Sequence, residues 1–182
     1  MPGTPSSPLA ELEIEVERRR QEALNGVSQI PIAALIWGPA PSGSSPVADA
    51  RVRLREALAK EGHLARFSEE LINRRSPYSI LTQQAAQVSA YDIVFSLPDS
   101  WGSVAEIHDF ARLPVISQKI VTFIDHAFCD GYASKSLIEL ESIATCRIQL
   151  YNASDLPNCI IDKALDFTRR LQELRYLIGR RY

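Results

Sequence analysis

The sequence predicts an α/β fold: a flavodoxin-like, doubly wound, five-stranded and mostly parallel sheet with helices on both faces. Three observations predict it. Short apolar runs at 32–37 and 92–97 have strand length and no polar alternation, as strands buried on both faces do. Longer stretches with apolar residues at helical spacing separate them, so strand and helix alternate along the chain. Turn residues follow the runs, at Gly38-Pro39 and Gly102, and Gly62 follows a helical stretch.

Each element has its own signal. Residues 1–8, rich in Pro, Ser and Gly, read as a disordered lead. A helix over 9–24 places Leu9, Leu12 and Val16 on one face and spaces Glu15 and Arg19 as a favourable pair. After the first strand, 32–37, comes a polar loop at 40–46. A helix over 47–60 follows, with Ala50, Leu54, Ala57 and Leu58 at helical spacing and Gly62 as its stop. The second strand is 63–67, and 68–77 is a loop or short helix. Leu81, Ala85 and Val88 mark a helix over 78–90, and 92–97 is the third strand.

The next helix begins at Ser103, buries Val104, Ile107 and Ala111, and ends at Leu113-Pro114. A fourth strand at 119–124, a helix at 136–144 and a fifth strand at 147–151 complete the alternation. Asp155 suits the cap and Pro157 the first turn of a closing helix, whose buried stripe is Ile161, Ala164, Leu165, Thr168 and Leu171. Right-handed crossovers are expected, and the flavodoxin-like strand order 2-1-3-4-5 is the expected topology. In that order the switch point falls between strands one and three, and the loops at 38–46 and 98–102 flank one crevice.

Bulk properties narrow the function. A chain of 182 residues, 46% hydrophobic, is the size of one domain, here 9–182 with an extra N-terminal helix. A net charge of −2 gives no general attraction to nucleic acid or to a membrane, so neither is expected as a partner. Arg18-Arg19-Arg20 and Arg180-Arg181 read as solvated helix ends, with anion binding as the alternative. Cys129, Cys146 and Cys159 fit neither a disulfide framework nor a zinc site, and no metal is expected. The start lacks the blocks of a secretory signal and no run reaches the roughly 18 residues that span a bilayer, which points to a cytoplasmic protein.

Glu106 is the residue on which a catalytic reading rests. Ser103-Val104-Ala105-Glu106 has the spacing of a capping box, in which Ser and Glu satisfy the first helical amides. Yet Glu106 lies about 100° around the helix from Ile107, at the rim of the crevice. A carboxylate there can attack or stabilise a sugar carbon as a glycosidic bond breaks. Asp99 can accept from sugar hydroxyls or cap a turn.

Trp37, Gly38 and Pro39, followed by Ser42, Gly43, Ser44 and Ser45, offer an aromatic face, close backbone approach and hydroxyls suited to a phosphate or sugar. An unliganded flexible loop would look the same. No Gly-Lys-Ser/Thr or G-x-G-x-x-G follows. Trp101, beside Gly102, can stack on a base or cover a core edge. His63, His108 and His126 are scattered; His126, at the ligand edge of the sheet, is the first to test as a base.

Gly38-Pro39, Asp92 and the segment Asp99-Ser100-Trp101-Gly102-Ser103-Val104-Ala105-Glu106 together resemble the nucleoside 2-deoxyribosyltransferase-like and TIR-like NAD-cleaving superfamily. The similarity spans about 32–151. The resemblance implies that Glu106 is the catalytic nucleophile and Asp99 a ribose or base contact. It further implies that Gly38 is a close approach to the ligand and that Ser103 orients Glu106 or a sugar hydroxyl.

The 40–46 loop is longer than the family's, and the Gly-Lys-Pro turn before strand four and the C-terminal asparagine are not found. The expected activity is N-glycosidic bond cleavage of NAD, a nucleotide or a nucleoside, by a glycohydrolase or deoxyribosyltransferase-like enzyme, with NAD or nucleotide as substrate and no cofactor. The resemblance also implies a toxin or anti-phage defence effector, regulated by a protein partner or as a homo-oligomer. The alternatives are a nucleotide-sensing module without catalysis and a structural subunit of a larger complex.

Overall fold

The computed structural model describes residues 7–129, 131, 135, 136, 138, 139, 141 and 146–179, and of Trp101, Gly102, Ala105 and Glu106 the backbone alone. The chain forms two compact units, one of residues 31–168 and the other of residues 1–30 with 169–182.

The larger unit is an α/β fold on a five-stranded sheet. Strands β1 (Ala33–Trp37), β2 (Leu64–Phe67), β3 (Ile93–Ser96), β4 (Ile120–Asp125) and β5 (Arg147–Tyr151) lie in the order β2-β1-β3-β4-β5. Every neighbouring pair is parallel, so the sheet is parallel throughout, with the flavodoxin-like order. Continuous apolar runs explain this: Ala34, Leu35, Ile36, Val94, Phe95 and Phe123 are all fully buried, which needs cover on both faces.

Helix α2 (Pro46–Lys60) starts where the Ser45 hydroxyl accepts from the Ala48 amide at 3.1 Å, with Pro46 in its first turn. It buries Ala50, Leu54 and Leu58. Helix α3 (Ile80–Ala90) is capped by Ser79. At its other end Lys119 Nζ donates to the carbonyls of Val88, Ser89 and Tyr91 at 3.1, 2.9 and 2.8 Å, placing a cation at the negative end of the helix. Asp92 belongs to the amino end of the sheet, where its carboxylate accepts from the Ala33 amide at 2.7 Å.

Helix α4 (Trp101–Ala111) begins earlier than its sequence suggests. Ser100, not Ser103, is the cap: Ser103 N donates to Ser100 Oγ at 3.3 Å, and Ser100 N donates back to Ser103 Oγ at 3.2 Å. A serine hydroxyl does at the third helical position what a glutamate was expected to do from Ser103. Glu106 is therefore the sixth residue of the helix, in its second turn. A short helix, α5 (Pro114–Ser117), leads into β4.

The expected helix at 136–144 falls mostly outside the described residues; Lys135, Ser136, Ile138 and Glu139 are helical. Helix α6 (Asn158–Ile178) also departs from expectation. Asp155 ends a 3₁₀ turn (Ala153–Asp155) instead of capping the helix, and the Pro157 carbonyl accepts the Ile160 and Ile161 amides. Its buried stripe is Ile160, Ala164, Thr168 and Gln172. Gln172 displaces Leu171 because its amide can reach partners, the Ser28 and Ile30 carbonyls at 3.3 and 2.8 Å.

In the smaller unit α1 (Pro8–Ser28) is capped by Ser7 and buries no residue. The face marked by Leu9, Leu12 and Val16 is exposed. Arg18 and Arg19 pair with Glu15, Arg18 also with Glu22, and Arg20 with Glu17, so this basic cluster is internally neutralised. Arg180 and Arg181, like residues 1–6, lie outside the described residues. Among the described residues no helix is long and apolar enough to cross a membrane.

Candidate functional site

At the switch point, where β1 and β3 send their chains to opposite sides, a cleft of about 300 Å³ opens at the carboxyl ends of the strands. Trp37, Gly38, Ala40, Ser96 and Ser103 line it, and Ser68, Glu69 and Gln84 close its far side. The sequence reading anticipated Trp37, Gly38 and Ser103. It missed Ser96, Glu69 and Gln84, which come from the end of β3, the 3₁₀ turn after β2 (Ser68–Leu71) and α3.

Gly38 is required by the backbone. Its φ is +149°, and a Cβ there would lie 2.9 Å from the Leu97 carbonyl oxygen and 3.2 Å from Arg51 Cδ. Trp37, 5% exposed, packs its ring 5.0 Å from that of Phe110, so most of the indole is core. Its Nε1 is buried without a partner among the described residues, as are Gln87 Oε1, Arg51 Nε and Thr122 Oγ1. Such orphaned groups are uncommon in folded proteins. Thr122 lies opposite Ser96 in the β3–β4 register, Arg51 is bonded to Glu69 and Gln87 to the Ser68 carbonyl, so all four belong to or adjoin residues lining the cleft.

Behind the cleft lies the strongest polar feature of the fold. Arg51, wholly buried on α2, donates from Nη1 to Glu69 Oε1 at 2.7 Å and from Nη2 to Glu69 Oε2 at 2.6 Å. It also holds the Pro39 carbonyl at 2.6 Å and the Ile36 carbonyl at 2.7 Å, and its guanidinium lies 4.2 Å over the Phe67 ring. One side chain thus ties the end of β1, the following loop and the 3₁₀ turn together. Partial burial, the largest single influence, pushes the Glu69 carboxyl up, but the Arg51 hydrogen bonds and charge together with the Glu69 amide and the Ser68 hydroxyl outweigh it, and the net shift is downward. Glu69 is an ionised acceptor, not a proton donor, at neutral pH.

The remaining anticipated residues are dispersed. Pro39 contributes its carbonyl to Arg51, and Ser44 is exposed beside the cap Ser45. Asp99 lines a second cleft, of about 120 Å³, with Ser100, Val104, Asp125 and Phe128 between the ends of β3 and β4. Tyr151 is nearby: burial first, and then Asp125, Cys159 and Asp99 in turn, push its hydroxyl up to about 12. The Ser103 hydroxyl is engaged by the Ser100 amide, hydroxyl and carbonyl, so its first task is the cap.

The side chains of Trp101 and Glu106, and the second helical residue Gly102, lie outside what is described beyond their backbone. His126 is exposed on the 3₁₀ turn after β4, and the Asp125 carboxylate caps that turn by accepting from Ala127 N at 2.9 Å. Among the described residues no group of three His, Cys, Asp or Glu could hold a metal ion.

No family model matches the chain. No curated protein matches its sequence. The case for a function therefore rests on the cleft and on the motif that ends in Glu106.

The residues missed carry a faint signal. Ser68-Glu69-Glu70 follows a strand directly, which places it at the carboxyl edge where ligands bind. Arg51, in the middle of an amphipathic helix between Ala50 and Leu54, is a charge at a position whose neighbours are core.

Proposed function

We propose that the switch-point cleft binds a nucleoside, or the nucleoside part of a nucleotide such as NAD, and that the chain cleaves its N-glycosidic bond. Glu106 is the carboxylate that attacks or stabilises C1′. The observation that carries this reading is the polar cleft itself, which takes Ser103 from α4, the helix that bears Glu106 one turn further on. On this reading the C1′–N bond breaks with its electron pair leaving on the base. Nicotinamide, cationic in NAD, departs neutral and needs no general acid. Attack by Glu106 forms a glycosyl ester, which water opens at C1′ as the C1′–O bond to Glu106 breaks and the carboxylate is released, or the carboxylate stabilises the oxocarbenium charge until water adds at C1′; in either case the added water loses a proton to solvent. Control by a partner protein or a second copy, as the resemblance implies, belongs to the same proposal.

A second reading, a nucleotide-binding module without catalysis, is favoured by Glu69. It is the one carboxylate among the described residues that line the cleft, and each of its oxygens is held by an Arg51 hydrogen bond, which suits an acceptor better than a nucleophile. One assay separates the two. The full chain is incubated with NAD and a panel of nucleosides and nucleotides, alone and with candidate partners, and released base is followed by chromatography, with Glu106→Gln alongside. Base release that disappears in the variant supports cleavage. Release that survives removes Glu106 as nucleophile, and binding without release under every condition establishes the module.

A further inference from the structure

The chemistry of the cleft lining restricts which part of a ligand can sit there. Among the described lining residues there is no Lys, Arg or His, and the single charge is the Glu69 carboxylate. Arg51 offers the cleft no free donor from its Nη atoms, because it is wholly buried and those atoms already serve Glu69, Pro39 and Ile36. At the start of α4, the Ser103 amide is taken by Ser100 Oγ, which removes one donor that would otherwise face an anion. A phosphate seated beside Glu69 would meet the carboxylate first, its charge offset only from behind by the paired Arg51, and would find no lining cation to contact.

Glu69 instead has the features of a hydroxyl acceptor. An ionised carboxylate offers about four lone-pair sites on two oxygens. Arg51 occupies one on each oxygen, the Ser68 hydroxyl and the Glu69 amide also favour the charged carboxylate, and the side chain is 46% exposed, so ligand hydroxyls can approach it from the solvent side. The paired oxygens present two adjacent acceptors, the complement of two adjacent hydroxyls. Arg51 fixes the carboxylate plane, so little ordering is needed when a ligand arrives. Ser68, Ser96 and Gln84 add neutral polar groups around it.

We propose that Glu69 recognises a vicinal cis-diol, the 2′- and 3′-hydroxyls of a ribosyl group, and that the cleft holds this neutral sugar with any phosphate kept outside. The assignment deepens the nucleoside reading above and rests on it for the identity of the sugar. It makes the chain selective for ribosides over deoxyribosides.

Calorimetric titration of the full chain with adenosine, 2′-deoxyadenosine, adenosine 5′-monophosphate and free ribose tests it, with Glu69→Gln in parallel and base release read separately. The expected result is that adenosine binds about tenfold or more tightly than 2′-deoxyadenosine, that the added phosphate brings no gain, and that Glu69→Gln erases the preference. Free ribose binding as well as adenosine keeps the diol site and shows that the base contributes nothing. Equal affinity for riboside and deoxyriboside in the unmodified chain, or tenfold tighter binding of the monophosphate than of adenosine, overturns the proposal. Both comparisons stand even if the Glu69→Gln protein does not fold. No binding by any of the four compounds also overturns it. Diol-selective binding without base release overturns cleavage and leaves this site in place, whereas base release with no diol preference does the reverse.

Discussion

Arg51 and Glu69 form two parallel hydrogen bonds, Nη1 to Oε1 at 2.7 Å and Nη2 to Oε2 at 2.6 Å, in which the guanidinium is wholly buried and the carboxylate is half exposed. The two partners are therefore not equivalent. Removing Glu69 strands a buried positive charge, whereas removing Arg51 leaves a carboxylate that water can reach and two carbonyls, Ile36 and Pro39, that lose a donor.

Glu69→Ala is accordingly expected to destabilise toward the lower end of about 3–5 kcal/mol, since partial exposure lets some water reach Arg51. Arg51→Met should cost less, about 1–3 kcal/mol, mainly from the buried Ile36 carbonyl. The double variant should cost less than the sum of the two, because the stranded charge is gone. Urea unfolding midpoints of the three variants check the ranking. Arg51→Met proving worse than Glu69→Ala would contradict it.

Acid should weaken the fold in two steps. Burial holds His63 below its ordinary value of 6.5, and its Nδ1 accepts from the Ile32 amide at 3.4 Å, which requires the neutral ring. Burial pushes Glu69 up, but the Arg51 hydrogen bonds and charge, with the Glu69 amide and the Ser68 hydroxyl, together hold it below 4.5. Both folded values are depressed, so both contributions are complete above the unfolded values. Each is lost as the unfolded state takes up its proton first and the pH then falls through the folded value. Denaturant midpoints measured against pH should therefore fall below about 6.5 and again below about 4.5. His63→Gln should remove the first step and Arg51→Met should shrink the second.

Gly38→Ala should cost about 1–3 kcal/mol, because a φ of +149° suits no L side chain and the new Cβ would press on backbone, the Leu97 oxygen at 2.9 Å. The floor of the cleft would shift with it. Thermal unfolding and ligand titration on the same variant check both effects; a variant with unchanged stability would show that the turn relaxes freely.

Tyr151 should be a late-titrating tyrosine, with burial first and then Asp125, Cys159 and Asp99 in turn holding its hydroxyl up to about 12 against an ordinary 10.0. Between those values the folded state keeps a proton that the unfolded state has lost. Its stabilising contribution is complete below 10.0 and lost as the pH rises through about 12. Tyr91 is also raised by burial, so the step is assigned by comparing phenolate absorbance of the unmodified chain with that of Tyr151→Phe. An unchanged alkaline titration curve in the variant would refute the assignment.

Helix starts show how far local pattern reaches. Ser45-Pro46 and Ser79 sit at their helix starts because a hydroxyl and a fixed φ act within one turn of chain. At α4 the same chemistry offered two serines three residues apart, and spacing favoured Ser103 only because Glu106 followed it. Hydrogen bonding in the folded chain selects Ser100 and moves Glu106 into the second turn. At α6 the buried register depends on whether Gln172 or Leu171 finds partners, and Gln172 does so through carbonyls more than a hundred residues away in sequence.

The parallel sheet was written in the chain, because strand burial and helix spacing are local properties, and the fold adopts the expected strand order and switch point, which only the pairing of distant strands settles. Trp37, Gly38 and Ser103 at the crevice were legible too, since they flank that switch point in sequence as well as in space. What lines the rest of the cleft was decided by the fold. Glu69 is one of two adjacent glutamates, and nothing local distinguishes it from Glu70. It becomes an acceptor on the cleft wall because the fold buries Arg51 behind it, eighteen residues away in sequence, while Glu70 turns to Arg55 on the surface. Burial of a charge depends on where the chain places it, and only packing sets that place.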